Sequence, residues 1–371
     1  MTDRQEERRM LADSVAGFAR QYDGIARARG LSDGAGLDPE AWAAMADLGL
    51  MGILVPEEAG GLGLGIPEMA VVAEELGRNC APEPLVAQAA AQAALAQVDS
   101  KPAKECLAGT ADGSTRLALA WQEKADQLNP AVITSRADAV DGGVRLSGSK
   151  CLALPADADL FLVSALDNGV PALFLVPRDA AGLELQSQRQ VDGAETASLN
   201  LNGVQLPAEA CLCTGDAALQ ALNTGISAGL TLASAELLGL ADRLYTLTTD
   251  YLATRKQFGV PISSFQVLRH RAVNLYIQRE LMRAALNQAV RAFEQGATGE
   301  ALQRAASRAK ARAGDAAQLI ARESVQLHGA IGFTEEADVG VHLRRVLALS
   351  AWLGNAGWHR RRYRTLSRQA A

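Results

Sequence analysis

Residues 230–266 read LTLASAELLGLADRLYTLTTDYLATRKQFGVPISSFQ, and they carry the most regular helical pattern in the chain. Its apolar residues recur at steps of three to five positions, and neither Pro nor Gly interrupts the chain between Leu240 and Phe258. This spacing predicts a long helix with one apolar stripe that faces a core. The stripe consists of Leu232, Leu237, Leu240, Leu244, Leu247 and Tyr251.

One ionisable side chain, Glu236, lies in the most apolar part of this helix, residues 232–240. A carboxylate in that position is either at a helix edge, where it would pair with Arg243 or another neighbour, or deliberately buried. Burial would raise its pKa, which suits a general base. The residues alone leave both interpretations open.

The predicted helix ends where Arg255 and Lys256 place two cations in its last turn, as the helix dipole favours. Gly259 and Pro261 then stop the helix, and a second helix opens near residue 265. On this interpretation Arg255 is a cation at a helix end.

Residues 255–266 resemble a signature of the acyl-CoA dehydrogenases, R-x-x-F-G followed by a short loop and F-Q. A second signature follows at residues 325–334, VQLHGAIGFT, which resembles the V-Q-x-x-G-G-x-G-F-T segment of the same family. The resemblance implies that Arg255 binds the pyrophosphate of an FAD and that the second signature meets its adenosine end. It implies as cofactor-binding residues Arg255, Gln257, Phe258, Gln266, Gln326 and Gly329. A tight helix crossing would explain the glycines of the second signature equally well.

The order of elements along the chain fits this family. Residues 1–112 show helical patterns, residues 113–212 short alternating runs typical of a small antiparallel sheet or barrel, and residues 213–371 long helices. The resemblance implies an α+β multidomain acyl-CoA dehydrogenase fold: an N-terminal helical domain, a middle β domain and a C-terminal four-helix bundle. The predicted strands are residues 116–121, 132–134, 144–147, 160–165, 172–176, 183–187 and 197–201.

Composition excludes several functional classes. A net charge of −6 and a pI near 5.4 argue against nucleic-acid or membrane partners. The charged N-terminus is followed by no apolar segment, and the five scattered cysteines indicate reduced thiols, so we expect a cytoplasmic protein. Cys211 and Cys213 have no second ligand pair nearby, so we expect no metal site. The glycine-rich residues 60–65 lack the Lys and Ser/Thr of a phosphate-binding loop, and the family resemblance implies a structural loop there.

The chain departs from the family at the flavin and at the base. Leu152 and Leu154 occupy positions where the family has an aromatic residue and a hydroxyl that contact the flavin ring. Leu353 and Gly229 occupy the two positions at which the family carries its catalytic carboxylate. Residues 233–239 resemble a subgroup that acts on bulky acyl-CoA thioesters, such as steroid side-chain or ring-bearing ones, and often forms heteromers. In that subgroup Glu236 is the candidate catalytic base.

Two functional hypotheses follow from the resemblance. In the first, the chain is an FAD-dependent acyl-CoA dehydrogenase subunit that converts an acyl-CoA to a trans-2-enoyl-CoA, with Glu236 as base and an electron-transfer flavoprotein or similar acceptor. In the second, it is a non-catalytic structural subunit that lends FAD contacts to a partner chain. Either implies a homo- or heterotetramer. A flavin oxidase or monooxygenase is a third alternative, which oxygen consumption without an electron-transfer partner would reveal.

The residues give a weak hint about the size of the substrate. Small residues on the long helix would leave room for a bulky acyl group, or would allow close packing of helices. These residues are Gly225, Ala228, Gly229, Ala233 and Ala235.

Overall fold

A computed structural model describes residues 3–369. Six helices come first in the chain, before any strand. Asp38 caps the third of them, accepting hydrogen bonds from the backbone N–H groups of Glu40 and Ala41, with Pro39 at the first helical position. An Asp cap followed by Pro is a favoured helix start, because the carboxylate accepts from N–H groups that have no partner within the helix. The helices are α1 (Asp3–Gln21), α2 (Gly24–Asp33), α3 (Pro39–Asp47), α4 (Ile66–Arg78), α5 (Leu85–Leu95) and α6 (Lys101–Ala111).

A twisted sheet occupies the middle of the chain, and its strands follow the spatial order β6-β7-β3-β2-β4-β5-β8, with β1 beside β4. Most neighbouring strands pair antiparallel, as predicted, but the sheet is mixed, because β1 and β2 both run parallel to β4. The strands are β1 (Leu117–Ala120), β2 (Arg136–Val140), β3 (Gly143–Ala153), β4 (Leu160–Asp167), β5 (Val170–Pro177), β6 (Leu183–Arg189), β7 (Glu195–Pro207) and β8 (Cys211–Thr214).

The predicted strand at residues 132–134 is a loop. The backbone N–H groups of Thr134 and Ser135 donate to the carboxylate of Glu123, so they are unavailable for a strand ladder. Sequence reasoning also missed β8, whose four residues carry too short an alternation to be recognised.

The C-terminal region is a bundle around one central helix. This helix, α7 (Asp216–Thr254), packs against α4, α5, α8, α9 and α10. It is the one described helix long and apolar enough to cross a membrane, yet 94% of its apolar window is buried inside the protein, so it forms the core. The other helices are α8 (Gln266–Glu294), α9 (Gly299–His328), α10 (Asp338–Ala351) and α11 (Ala356–Gln369).

The small residues of α7 serve close packing. A Cβ on Gly239 would lie 1.9 Å from the carbonyl oxygen of Glu74 in α4, and one on Gly225 would lie 2.6 Å from that of Ala90 in α5. Neither helix could approach α7 so closely if side chains stood at these positions. Of the small residues predicted to leave room for a bulky acyl group or to allow close packing, Gly225 serves close packing.

The glycine-rich loop after residue 56 is likewise a packing feature. A Cβ on Gly61 would lie 2.1 Å from the carbonyl oxygen of Val55, and Gly60 and Gly63 adopt positive φ angles of 81° and 59°. Only glycine tolerates these positions without strain, which agrees with its interpretation as a structural loop.

Candidate functional site

A cavity of about 670 Å³ opens between the sheet and the C-terminal helices. Its walls bring together three distant segments, two of which carry departures from the family pattern, at Leu152 and at Leu353. Gln122 follows β1, Leu152 lies on β3, and Leu353 and Gly354 follow α10. The sequence therefore folds so that these distant substitutions meet at one place.

The corner of this cavity formed by Leu353 and Gly229, the two positions that the resemblance assigns to the family's base, is apolar. Leu353 adopts a left-handed conformation with φ of 56°, and a Cβ on Gly229 would lie 2.9 Å from Leu353 Cδ1. The two alternative base positions are thus neighbours in space, and neither has a carboxylate. The side chains clustered with Leu353 are Trp121, Leu222, Ile226, Leu230 and Ala306, with Trp352 at their edge.

Glu236 lies in a different place, in a buried ion-pair cluster. Its Oε1 accepts a hydrogen bond from Arg345 Nε at 2.7 Å, and Arg345 Nη1 donates to Asp192 Oδ2 at 3.0 Å. The three residues come from α7, α10 and the loop between β6 and β7, and all three side chains are nearly inaccessible to solvent. The suggested pairing of Glu236 with Arg243 is wrong, because Glu236 faces α10 instead.

Burial and pairing act in opposite directions on the pKa values of Glu236 and Arg345. Burial raises the pKa of Glu236, while Arg345 acts to lower it. Burial also disfavours the charge of Arg345, but the carboxylates of Glu236 and Asp192 outweigh that effect and raise the pKa of the guanidinium. Arg345 therefore stays charged, and it engages the carboxylate that a base would need to keep free.

Glu236 nevertheless borders open space. A second cavity, of about 30 Å³, is lined by Glu236, Arg345 and Trp352. It shares Gln190, Ala348 and Trp352 as wall residues with the larger cavity. The carboxylate thus lies beside the larger cavity without lining it.

Sequence reasoning missed Arg345 and Asp192. The sequence carried one signal for Arg345, because the four-residue spacing places it on the same helical face as the apolar Val341 and Leu349. That face is buried, and a cation on a buried face needs a carboxylate beside it. Asp192 lies in a loop, and no periodicity pointed to it.

A second buried ion pair was missed on the sheet side. Lys150 Nζ donates to Glu123 Oε1 at 2.8 Å and to Ser164 Oγ at 3.3 Å. Burial opposes the charge of Glu123, but the bonds from Lys150, Thr134 and Ser135 outweigh it and lower its pKa to about 2. This pair fixes the loop that follows β1 against β3, and so shapes the cavity wall that carries Gln122.

The predicted FAD-binding residues lie together on one exposed end of the bundle. The side chain of Tyr251 stacks on that of His328 with ring centroids 4.5 Å apart, which joins the end of α7 to the end of α9. The first signature and the second therefore share a surface. On it lie Arg255, Gln257, Phe258, Gln266, Gln326 and Gly329, all exposed.

Arg255 differs from the prediction in its backbone. Helix α7 ends at Thr254, and Arg255 is extended, with φ of −69° and ψ of 126°. Two-residue strands, β9 (Lys256–Gln257) and β10 (Val260–Pro261), then form a hairpin whose turn residues Phe258 and Gly259 have φ of 52° and 82°. The interpretation of Arg255 as a cation in the last helical turn is wrong.

The residues present fit one half of an FAD better than the other. Among residues 3–369 the Arg255 guanidinium has no ion-pair partner, and its planar fork suits a pyrophosphate. A Cβ on Gly329 would meet no atom of the described part of the chain within 4 Å, so space remains beside the backbone. On the cavity side, Leu152 offers no side-chain donor, and Gln122 Nε2 already donates to the Gln127 carbonyl oxygen. The exposed surface suits the dinucleotide, whereas the cavity lacks the hydroxyl that would hold the ring.

Comparisons with known proteins cover nearly the whole chain. Residues 5–107 match the family description "Acyl-CoA dehydrogenase, N-terminal domain", and residues 220–364 match "Acyl-CoA dehydrogenase, C-terminal domain". Acyl-CoA dehydrogenase IpdE2 of Mycobacterium tuberculosis (strain ATCC 25618 / H37Rv) is 30% identical over 342 residues, covering 92% of this chain and 91% of that protein. Acyl-CoA dehydrogenase FadE12 of the same strain is 29% identical over 361 residues, covering 91% and 88%.

Two solved structures add the fold. The structure of a variant of the "Tcur3481-Tcur3483 steroid ACAD" superposes with a TM-score of 0.89 at 31% identity and covers 99% of both chains. The ChsE4-ChsE5 complex from Mycobacterium tuberculosis gives a TM-score of 0.86 at 24% identity, covering 96% of this chain and 95% of that one.

Proposed function

Because the chain belongs to the acyl-CoA dehydrogenase family, we propose that it is one subunit of a heteromeric, FAD-dependent dehydrogenase that desaturates an acyl-CoA thioester. The family relationship makes it an oxidoreductase acting on acyl-CoA, with FAD as cofactor, and confirms the three-part fold predicted from sequence. In our proposal this chain contributes the surface that contacts the dinucleotide, and a partner chain of the same family contributes the catalytic carboxylate.

One observation carries this proposal: the corner where both base positions meet is apolar. Gly229 and Leu353 face each other there, and Glu236 is engaged by Arg345. A general base must be free to approach the proton that it removes. Bound FAD would supply the acceptor for the β-hydrogen, as hydride, and a carboxylate would take the α-proton, so that the product would be a trans-2-enoyl-CoA. This chain's part is to bind and orient the cofactor through Arg255 and the residues around it.

The exposed apolar side chains near this surface support a partner subunit. Phe258 is 90% exposed and Phe333 78% exposed, and Val267 at the start of α8 is also exposed. Large apolar side chains grouped at a binding surface are typical of a protein interface. The relatives whose descriptions name two chains support a heteromer, and an electron-transfer flavoprotein remains our proposed acceptor.

The substrate class rests on the relatives. The word "steroid" describes one solved structure that is 31% identical to this chain, so we propose a bulky, ring-bearing or steroid side-chain acyl group. The free thiols of the described cysteines fit our proposal of a reducing, cytoplasmic location.

The test begins with the purified chain alone. We expect little visible flavin absorbance, and we expect stoichiometric FAD only after assembly with a partner chain. Acyl-CoA thioesters of linear, branched and steroid type are then added without oxygen to the assembly, and one class should bleach the flavin. Tightly bound flavin that substrate reduces in the chain alone would contradict the shared site.

A second candidate is a self-sufficient dehydrogenase with Glu236 as base. The shared walls of the two cavities favour it, since a shift of Trp352 would open the larger cavity toward Glu236. On this hypothesis Glu236→Gln lowers turnover by orders of magnitude with flavin content intact. Asp192→Asn is the matched control, because it removes the other carboxylate charge that pairs with Arg345 and leaves Glu236 unchanged. Equal turnover of Glu236→Gln and the wild type would remove Glu236 from catalysis.

A further inference from the structure

Lys310, in the middle of α9, is a fully buried lysine whose partners are all backbone carbonyls. Its Nζ donates to the carbonyl oxygens of Ser350, Trp352 and Gly354 at 3.1, 2.8 and 3.1 Å. A lysine ammonium has three N–H donors, so these three bonds use its full capacity. Within the described residues, no carboxylate lies within 4.0 Å of Nζ to compensate the charge. Burial lowers the pKa of Lys310 to about 7.

The carbonyl of Ser350 belongs to the last turn of α10, and those of Trp352 and Gly354 belong to the turn that follows the helix. The last carbonyls of a helix have no partner within the helix, and a cation there is favoured by the helix dipole. Here the turn contains Leu353 in the left-handed region, which is strained for a branched side chain. The chain must therefore be held in this conformation by its surroundings.

His359 completes the set. It is fully buried, and its Nε2 lies 3.0 Å from the carbonyl oxygen of Leu353. Burial and the nearby Lys310 lower the pKa of His359 to about 3, so the ring is neutral and donates through Nε2. The Gly354 N–H donates to the remaining carbonyl, that of Ala351, at 3.0 Å. Every carbonyl from residue 350 to residue 354 thus has a donor, and Lys310 supplies three of the five.

The held turn forms a wall of the large cavity. Trp352, Leu353 and Gly354 all line it. We propose that Lys310 is a positioning residue, whose three hydrogen bonds fix the 352–354 turn and thereby set the shape of the cavity wall at the family's base position. The link from this wall to acyl-CoA or flavin binding rests on the proposed function, whereas the positioning itself does not.

Hydrogen exchange of the purified chain tests the positioning. In Lys310→Met, which keeps the length of the side chain and removes its donors, the Trp352 and Gly354 amides should exchange about tenfold faster or more, as expected for the loss of three buried hydrogen bonds. Amides in the centre of α9, at Ile320 and Ala321, should stay within about twofold of the wild type. Equal acceleration at both places would make Lys310 a general stabiliser, and no acceleration would show that the turn holds itself; either result overturns the proposal.

Two further variants keep the test decisive. Lys310→Gln retains two donors and should give an intermediate response, and it serves if the Met variant fails to fold. Leu353→Gly removes the strain of the left-handed residue. Adding it to the Lys310 variant that folds, Lys310→Met or Lys310→Gln, should restore much of the protection at Gly354. Failure of this rescue would contradict the role assigned to the strain. The hydrogen exchange of the turn could change while the substrate kinetics of the assembled enzyme stay the same. That result would support the positioning role of Lys310 and would count against this cavity as the reaction site. The two proposals therefore fail separately.

Discussion

Arg345 Nε lies 2.7 Å from Glu236 Oε1, and the same guanidinium reaches Asp192 at 3.0 Å. One arginine therefore ties the central helix to α10 and to the sheet domain. The cluster buries one positive and two negative charges, so each carboxylate depends on the arginine for compensation. In this structure Glu236 pairs with Arg345 and so helps to hold α7 against α10 at the domain boundary. To act as a base, Glu236 would first have to lose its hydrogen bond to Arg345.

Removing the arginine should be strongly destabilising. Arg345→Met leaves Glu236 and Asp192 buried without a counter-charge, and we expect a loss of about 3–5 kcal/mol in the free energy of unfolding. Urea denaturation monitored by circular dichroism measures it. Arg344→Met is the control, because Arg344 pairs with Glu335, whose side chain is 76% exposed, and should cost less than about 1 kcal/mol. Similar losses in the two variants would contradict the assigned importance of the cluster.

The contact between α4 and α7 allows a sharp glycine test. A Cβ on Gly239 would lie 1.9 Å from a backbone oxygen that belongs to α4, so Gly239→Ala forces the helices apart. We expect a loss of about 3 kcal/mol or more, because a backbone atom cannot move aside as a side chain can. Gly340→Ala, in α10 with no atom within 4 Å of the added Cβ, should be neutral or stabilising by up to about 1 kcal/mol. Thermal unfolding of the two variants compares them directly, and equal melting temperatures would refute the close crossing.

The general course of the chain could be predicted because it depends on local patterns. The apolar stripe predicts α7, and Asp38 followed by Pro39 predicts the start of α3. Helical runs, then short strands, then helical runs give the order of regions. Strand direction could not be predicted in the same way, since the alternation of β1 does not reveal that it pairs parallel with β4.

The site was only partly predictable, because its partners are distant in sequence. Periodicity showed that Glu236 is on a buried face, but not that Arg345, 109 residues away, meets it. The end of α7 was misplaced because Phe258 adopts a positive φ without being glycine, and Gly259 alone gave the turn signal. Lys310 was missed because its partners are backbone carbonyls, which every residue has.

Buried His342 should make the protein less stable in mild acid. Its Nδ1 lies 2.8 Å from the Asp338 carbonyl oxygen, while Nε2 is buried and has no partner among residues 3–369, so a second proton would have no acceptor there. Burial lowers the pKa of His342 to about 4, below the ordinary value of 6.5. The unfolded chain therefore binds the proton first, and stability is lost as pH falls from about 6.5 toward 4, by about 2 kcal/mol at pH 5.

Urea unfolding at pH 7.5 and pH 5 measures this loss in the wild type and in His342→Asn. The variant keeps a donor for the Asp338 carbonyl and should lose about 2 kcal/mol less between the two pH values. Some dependence should remain, because burial also lowers the pKa of His359 to about 3. His270→Asn, at an exposed position on α8, should behave like the wild type. A variant at His342 with the full wild-type loss would show that this ring does not carry the effect.

Arg255 should matter for flavin and not for folding. Its guanidinium is exposed and has no ion-pair partner in residues 3–369, so Arg255→Ala removes no contact that stabilises the chain. A charged hydrogen bond to a phosphate contributes about 1.5–3 kcal/mol, so FAD bound to the assembled enzyme should dissociate with a Kd raised about 10- to 100-fold. Arg255→Lys keeps the charge but loses the planar fork, and we expect its Kd to lie between those of the alanine variant and the wild type.

Arg269→Ala, also exposed and at the start of α8, is the matched control for a general loss of positive charge. Fluorescence titration of FAD into the flavin-depleted assembly measures all four proteins, with the melting temperature of each chain alone as the folding check. A Kd that rises equally for Arg255→Ala and Arg269→Ala would indicate diffuse attraction by the positive charge of the surface. Arg255 would then have no specific place in the cofactor site.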